Sequence, residues 1–291
     1  HVYVAAYRED AISWYERNAK TGVLSFKGAL KDGINGVDGL DWARSIYMST
    51  DGKHAYVVGY LDHSVSWYDR NSSTGDLSFA GILKEGVDGV DGLLGSQSVT
   101  LSSDGLFAYV VSKSDRAITW HERNSTTGAL TYGGMLQWAQ ESSVVIRDDT
   151  DGPMNDAEKV ILSPDEDYAY VVSSSAVRWF NRNSTTGALT YGGKLTENFV
   201  NEYGLYKARD IVISMDGRHA YIVAYMGNSI SWFNRDLNTG VLTYQGMLKD
   251  GIDGVNGLYS VYSLTISANQ SHIYTVGGTD DAVSWFERNA T

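Results

Sequence analysis

The sequence predicts an all-β fold, a six-bladed β-propeller of four-stranded antiparallel blades occupying residues 1–291 as a single domain. Three observations predict it. A W-x-x-R motif returns six times at a near-constant interval, each interval holds four short apolar stretches parted by turn residues, and the best of those stretches are apolar on both faces.

The interval comes first. The motif reads "SWYERN" at Trp14, "SWYDRN" at Trp67, "TWHERN" at Trp120, "RWFNRN" at Trp179, "SWFNRD" at Trp232 and "SWFERN" at Trp285. Neighbouring tryptophans lie 53 residues apart, except for a step of 59 between Trp120 and Trp179. A fixed period of this size is the signature of a repeat architecture.

One interval supplies the four stretches. "RSIYMS" (44–49), "HAYVVGY" (54–60), "VSWYDR" (65–70) and "DLSFAGIL" (76–83) are separated by "TDGK", "LDHS" and "NSSTG". Alternating or β-branched apolar runs between Gly, Asp, Asn and Ser clusters are strands joined by tight turns. The 31 glycines and only 2 prolines suit that reading.

The third observation selects the architecture. In "AISWYERN" (11–18), Ile12 and Trp14 point to one face and Ala11 and Tyr15 to the other, so the strand needs cover on both sides. A four-stranded sheet of this kind is insoluble alone. Stacking such sheets around a closed circle shields every face and leaves only short edges, whereas solenoid repeats are usually shorter. The tryptophan series is therefore expected to be interblade core. The recurrent arginine (Arg17, Arg70, Arg123, Arg182, Arg235, Arg288) is expected to pair with an aspartate of the DG corner such as Asp51, Asp104 or Asp216. His1 aligns with His54 and Thr291 with Ser73, so the first copy lacks its innermost strand and the last its outermost; a chain trimmed at both ends is the expectation.

Composition bounds the function. The 35 acidic and 23 basic residues give a net charge of -12, which repels nucleic-acid phosphates and excludes a nucleic-acid partner. No apolar run is long enough to span a bilayer, so no membrane insertion is expected. The absence of cysteine removes disulfides, thiolate metal sites and cysteine nucleophiles. Five N-x-[ST] sequons, at Asn71, Asn124, Asn183, Asn269 and Asn289, fit a secreted or extracellular protein, although a repeated Asn-Ser-Thr-Gly turn uses the same residues.

"SPDEDYAYVV" (163–172) and the two "TGALT" stretches (127–131 and 186–190) carry a resemblance that runs along essentially the whole chain. The unit resembles the repeat of the lactonase-like β-propeller family and the related Tyr-Val-Thr-Asn surface-protein repeats. The resemblance implies a propeller, and its enzymes, phosphogluconolactonases and muconate-cyclising enzymes among them, imply seven blades with a His, Arg and Glu cluster at a central channel. Six copies are counted here, and no cluster of histidines stands where that site would be.

Candidate site residues come from divergence between copies. At the start of the first strand the copies read Arg44, Gln97, Glu158, Arg209 and Tyr262, then Ser45, Ser98, Lys159, Asp210 and Ser263. A purely structural position tolerates one residue in every blade, so variation in charge and size points to an asymmetric ligand site, with drift as the alternative. His63 and Arg116 in the short turns, and Trp42 and Trp138 in the interblade connections, join the candidate ligand-binding set. Calcium is the one cofactor considered. "DDTDGPMND" (148–156) offers Asp148, Asp149, Asp151 and Asp156 as metal ligands, while the loops "KDGINGVDGL" (31–40), "KEGVDGVDGL" (84–93) and "KDGIDGVNGL" (249–258) place carboxylates three residues apart, unlike the alternating ligands of the helix-loop-helix calcium site.

The expected function is a non-enzymatic recognition propeller, lectin-like and carbohydrate-binding or adhesive, taking a carbohydrate or small polar ligand and able to form oligomers. Near-identical copies would give repeated grooves and avidity. A lactonase-like hydrolase or cycloisomerase at the channel mouth is one alternative, and a structural repeat protein another. No serine nucleophile elbow, H-E-x-x-H or phosphate loop is present.

Overall fold

The computed structural model describes residues 1–137, 156–197 and 202–289. Among them are 22 strands and no helix, and so none long and apolar enough to cross a membrane. The strands form six antiparallel sheets, each a simple meander in chain order, which is the blade pattern of the predicted six-bladed β-propeller. The chain divides into two compact units, residues 1–141 with 185–188, and residues 142–184 with 189–291.

The first unit holds three sheets. They are β1 (Val2–Ala6), β2 (Ala11–Arg17) and β3 (Leu24–Lys31); β4 (Ala43–Met48), β5 (His54–Gly59), β6 (Ser64–Arg70) and β7 (Leu77–Lys84); and β8 (Ser96–Leu101), β9 (Phe107–Ser112), β10 (Ala117–Arg123) and β11 (Leu130–Gln137). The second unit repeats the arrangement. It holds β12 (Lys159–Leu162), β13 (Tyr168–Ser173), β14 (Ala176–Arg182) and β15 (Leu189–Thr196); β16 (Ala208–Ile213), β17 (His219–Ala224), β18 (Ser229–Arg235) and β19 (Leu242–Lys249); and β20 (Val261–Ile266), β21 (His272–Gly277) and β22 (Ala282–Glu287). The two end sheets have three strands, as the alignment of copies requires.

The core of each unit lies between consecutive sheets. Every residue of β5, β9 and β13 is buried, which a strand covered on both faces must be. Ile12 and Trp14 of the first sheet pack on Ala55, Val57, Tyr68 and Leu77 of the second. In the second unit Tyr170, Val172 and Trp179 meet Ala220, Ile222, Phe233 and Leu242 in the same manner.

Two recurrent devices explain why the motif is spelled so consistently. The first seats the tryptophan: Trp67 lies opposite Gly81 across a register shift, and a Cβ on that glycine would run into the indole. Gly28, Gly134, Gly193 and Gly246 do the same for Trp14, Trp120, Trp179 and Trp232. Trp14, Trp67 and Trp179 are accordingly 5, 8 and 6% exposed. Trp285 departs from the expectation at 67% exposure, because β22 has no fourth strand beside it to bring a glycine under the ring.

The second device is an arginine clamp between sheets. Arg235 donates from Nε to the Tyr170 hydroxyl and from Nη1 to the Gly217 carbonyl, and pairs with Asp165 at 2.7 Å. Arg123 likewise meets Tyr56, the Gly105 carbonyl and, at 3.5 Å, Asp51. Burial alone would raise the Asp51 carboxyl, but the Ser49 hydroxyl, the Lys53 N–H and Arg123 outweigh it and hold the group at about 2. The expected DG-corner pairing is thus present at Asp51. Asp104 and Asp216 instead accept from Ser102 and Ser214 in their own corners, and the tyrosine hydroxyl is the partner that sequence reading missed.

Candidate functional site

The divergent positions share one backbone feature. At the start of the first strand in four sheets the register slips by one residue, between Ala43 and Ser45, Ser96 and Ser98, Ala208 and Asp210, and Val261 and Ser263. The extra residue in each case is Arg44, Gln97, Arg209 or Tyr262. A β-bulge releases its residue from the ladder and re-aims the side chain, a device concentrated next to functional sites. The residue before each bulged pair also repeats: Trp42, Gly95, Lys207 and Ser260 have φ between 54° and 69°, and Asp156, at the equivalent place before Glu158, has 56°.

In the second unit the released side chains converge. Arg209 Nη1 pairs with Glu158 Oε1 at 2.6 Å, and its guanidinium lies 5.4 Å from the Tyr225 ring centre and 5.8 Å from that of Tyr262. The two tyrosine rings are 5.0 Å apart. Arg209 Nε is enclosed with no hydrogen-bond partner among the described residues. Burial, and then the neighbouring Tyr225, push the Tyr262 phenol up, so it remains a proton donor at neutral pH. Directly beneath, the buried Asp210 accepts from Ser263 Oγ at 2.7 Å and from the Leu264 N–H at 3.2 Å, joining β16 to β20 and fixing the spacing of Arg209 and Tyr262. Lys207 Nζ bonds Asp156 at 2.8 Å and Ser174 at 2.5 Å on the flank. The set contains a carboxylate able to take a proton, a guanidinium able to face developing negative charge, and a phenol able to donate a hydrogen bond.

In the first unit Arg44 is exposed and framed by rings. Its guanidinium lies 4.7 Å from Tyr7, 5.7 Å from Trp42 and 5.3 Å from Tyr60. Trp42 stacks on Tyr60 at 5.9 Å and meets Tyr7 edge-on. These contacts give Trp42 a packing partner and leave it 36% exposed. Of the divergent charged residues, Glu158 and Arg209 thus form a pair in the second unit, and Arg44 sits against aromatic rings in the first.

The remaining candidates sort by position. Gln97 is 8% exposed. His63 and Arg116 occupy turns between second and third strands with φ of 52° and 54°. His63 Nδ1 lies 2.8 Å from the Tyr60 carbonyl and 3.1 Å from the Gly95 nitrogen, so one tautomer donates to the first and the other accepts from the second. Trp138, Asp148, Asp149 and Asp151 lie outside the described residues. Asp156 is engaged by the Lys207 ammonium.

Two carboxylate groups have ligand atoms within 4.8 Å of one another and so could hold a cation: Asp32, Asp38 and Asp62, and Glu85, Asp91 and Asp115. Four of these six carboxylates are accounted for as caps of backbone N–H groups. Asp32 accepts from the Leu40 N–H, Glu85 from Leu93, Asp62 from Asp41 and Asp115 from Leu94. Lys84 Nζ offsets part of the charge of the first group, 2.7 Å from Asp38 and 3.2 Å from Asp62. In the second group the position of Lys84 is taken by Gln137, and burial raises the pKa values of Glu85 and Asp115.

Tyr7, Tyr60 and Tyr225 were not anticipated. They follow the second strand of their copies, where the others read Lys113, Ser174 and Gly278. The same divergence that exposed Arg44 was present there.

Comparison with known proteins bears on all of this. A model of the family described as lactonase, 7-bladed beta-propeller, matches residues 40–142 and 159–291. No curated protein matches. A candidate 6-phosphogluconolactonase from Bacteroides uniformis is similar in structure with a TM-score of 0.73 at 16% identity, over 99% of this chain and 77% of that one. The periplasmic gluconolactonase of Pseudomonas aeruginosa gives 0.71 at 15% identity, over 96% and 73%. Hydrazine synthase of Kuenenia stuttgartiensis gives 0.69 at 14% identity, over 99% and 80%. At such identities the structural likeness shows the fold alone, and one fold carries different chemistries. The family match overturns the reading of a non-enzymatic, lectin-like protein. The near-identity of copies that suggested repeated sugar grooves has its physical cause in the indole seat and the arginine clamp, which each sheet must repeat.

Proposed function

The chain belongs to the lactonase 7-bladed β-propeller family, and from that premise we propose that it is a lactone hydrolase acting through Glu158, Arg209 and Tyr262. The observation that carries the reading is the Glu158–Arg209 pair, 2.6 Å long, on a bulged residue beside two tyrosine rings. Glu158 takes a proton from water as the oxygen attacks the lactone carbonyl carbon. The carbonyl oxygen gains the negative charge and faces the Arg209 guanidinium, with the Tyr262 phenol as second donor. The ring C–O bond then breaks, and the leaving alkoxide recovers the proton from Glu158. Atoms and charge balance without any further reactant.

Sugar-acid lactones are the first substrates to test, since the similar structures from Bacteroides uniformis and Pseudomonas aeruginosa are described by activities on that class. An extracellular location, supported by the sequons, is part of the same reading. In a proton-release assay corrected for spontaneous hydrolysis, Glu158→Gln and Arg209→Ala are each expected to lose roughly a hundredfold in kcat while melting within a few degrees of the parent. Equal turnover by parent and variants would refute the assignment.

A further inference from the structure

The loop at 31–40 holds an asparagine where its two sister loops hold aspartate. Asn35 and Gly36 are the central residues of a tight turn, with φ of 53° and 78°, closed by the Val37 N–H donating to the Ile34 carbonyl at 3.1 Å. Both residues are exposed. A Cβ at Gly36 would meet nothing within 4 Å, and the Gly36 N–H donates to no acceptor among the described residues. The two sister loops place Asp88–Gly89 and Asp253–Gly254 in the same turn, with φ of 51° at both aspartates.

We infer that Asn35 is a self-modifying site that converts to aspartate and isoaspartate in the folded protein. The Gly36 backbone nitrogen attacks the Asn35 side-chain carbonyl carbon, and the side-chain nitrogen leaves as ammonia, carrying away the proton lost by the Gly36 amide. Water opens the resulting five-membered imide at either carbonyl. Opening at one yields an ordinary aspartate, the residue type that the sister loops already accept at this backbone geometry. Opening at the other inserts one backbone carbon into the Ile34–Val37 turn, which breaks its closing hydrogen bond and disturbs Val37, 5% exposed and packed with Ile12 and Leu40. Either product adds negative charge beside Asp32 and Asp38.

The chain carries its own control. Asn256–Gly257 is the other Asn-Gly pair, but there the Gly257 N–H is bonded to Asn256 Oδ1 at 3.0 Å, and Gly257 is buried against Ser284. The nitrogen that would attack is thus engaged and held in an enclosed backbone segment.

The test holds the folded protein at mildly alkaline pH and maps tryptic peptides by mass spectrometry. The peptide 32–44 contains Asn35 as its only asparagine. It is expected to gain the mass of deamidation and split into aspartate and isoaspartate forms, with Asn256 slower by roughly tenfold or more, the rate ratio of a local opening cost larger by about 1.4 kcal/mol. In concentrated urea the two rates are expected to converge. The Asn35→Asp variant is expected to melt with the parent, which separates the charge change from the isoaspartate insertion. An Asn35 that stays intact while a synthetic 32–44 peptide converts, or an Asn256 that converts as fast in the folded protein, overturns the inference.

Discussion

Arg235 Nε donates to the Tyr170 hydroxyl at 2.7 Å, and that hydroxyl in turn donates to the Gly240 carbonyl at 2.6 Å. One oxygen thus joins the end of a third strand to the hairpin turn that follows it, across the boundary between two sheets. Tyr56, whose hydroxyl reaches Arg123 and the Gly128 carbonyl, repeats the relationship.

The clamp predicts a specific stability loss. Tyr170→Phe leaves a buried guanidinium N–H and a carbonyl without their partner and is expected to cost about 1–3 kcal/mol in urea unfolding. Arg235→Met removes the bond to the Tyr170 hydroxyl and strands the Asp165 carboxylate, while the Tyr170–Gly240 bond remains. The double variant is expected to be less destabilised than the sum of the singles, because both act on one network. Additive losses would place the two residues in separate networks.

The indole seat predicts a steric loss. Gly81→Ala puts a methyl into the Trp67 ring and is expected to destabilise by about 1–3 kcal/mol, the usual range for overpacking. Combining it with Trp67→Leu is expected to recover part of that loss in thermal melts. An unchanged melting temperature for Gly81→Ala alone would show that the ring can move aside.

His121 predicts how stability follows pH. Burial lowers its pKa from 6.5 to about 3, so the folded state keeps it neutral while the unfolded chain takes a proton. Its contribution is intact above pH 6.5 and is lost progressively as pH falls towards 3. Tyr68 fills the equivalent place and bonds Ser66 at 3.1 Å, as His121 bonds Thr119 at 2.9 Å. His121→Tyr is therefore expected to fold and to melt higher than the parent by a margin that widens as pH falls below 6.5. A constant margin across that range would mean that another group governs the acid loss.

The unneutralised carboxylates predict a gain. Gln137→Lys would set an ammonium beside Glu85, Asp91 and Asp115, as Lys84 stands beside Asp38 and Asp62. It is expected to add up to about 1 kcal/mol at neutral pH, with the gain shrinking in salt and as pH falls through the carboxylate range. A gain equally large in acid would have to come from packing.

How much was legible follows from what repeats. The sheets, their order and the short end sheets were readable because each copy spells the same two-sided strands, and packing allows little else at Ile12, Trp14 or Tyr68. Arg44, Gln97, Arg209 and Tyr262 stood out through divergence, but that each is a bulged residue was not readable, since a register shift leaves no trace in residue type. The partners were also hidden. Nothing in "HAYVVGY" says that Tyr56 is tied to Arg123 or that Tyr60 faces Arg44, because those contacts join residues 67 and 16 positions apart in the chain. The tryptophan rule failed at Trp285 for a reason of pairing, not of motif.

The left-handed position before the first strand has one consequence of its own. Tryptophan, glycine, aspartate, lysine and serine occupy it at 42, 95, 156, 207 and 260 with nearly the same backbone angle. Identity there is decoupled from foldability, so selection could rewrite the chemistry at the entry to each first strand one copy at a time while the scaffold stayed constant.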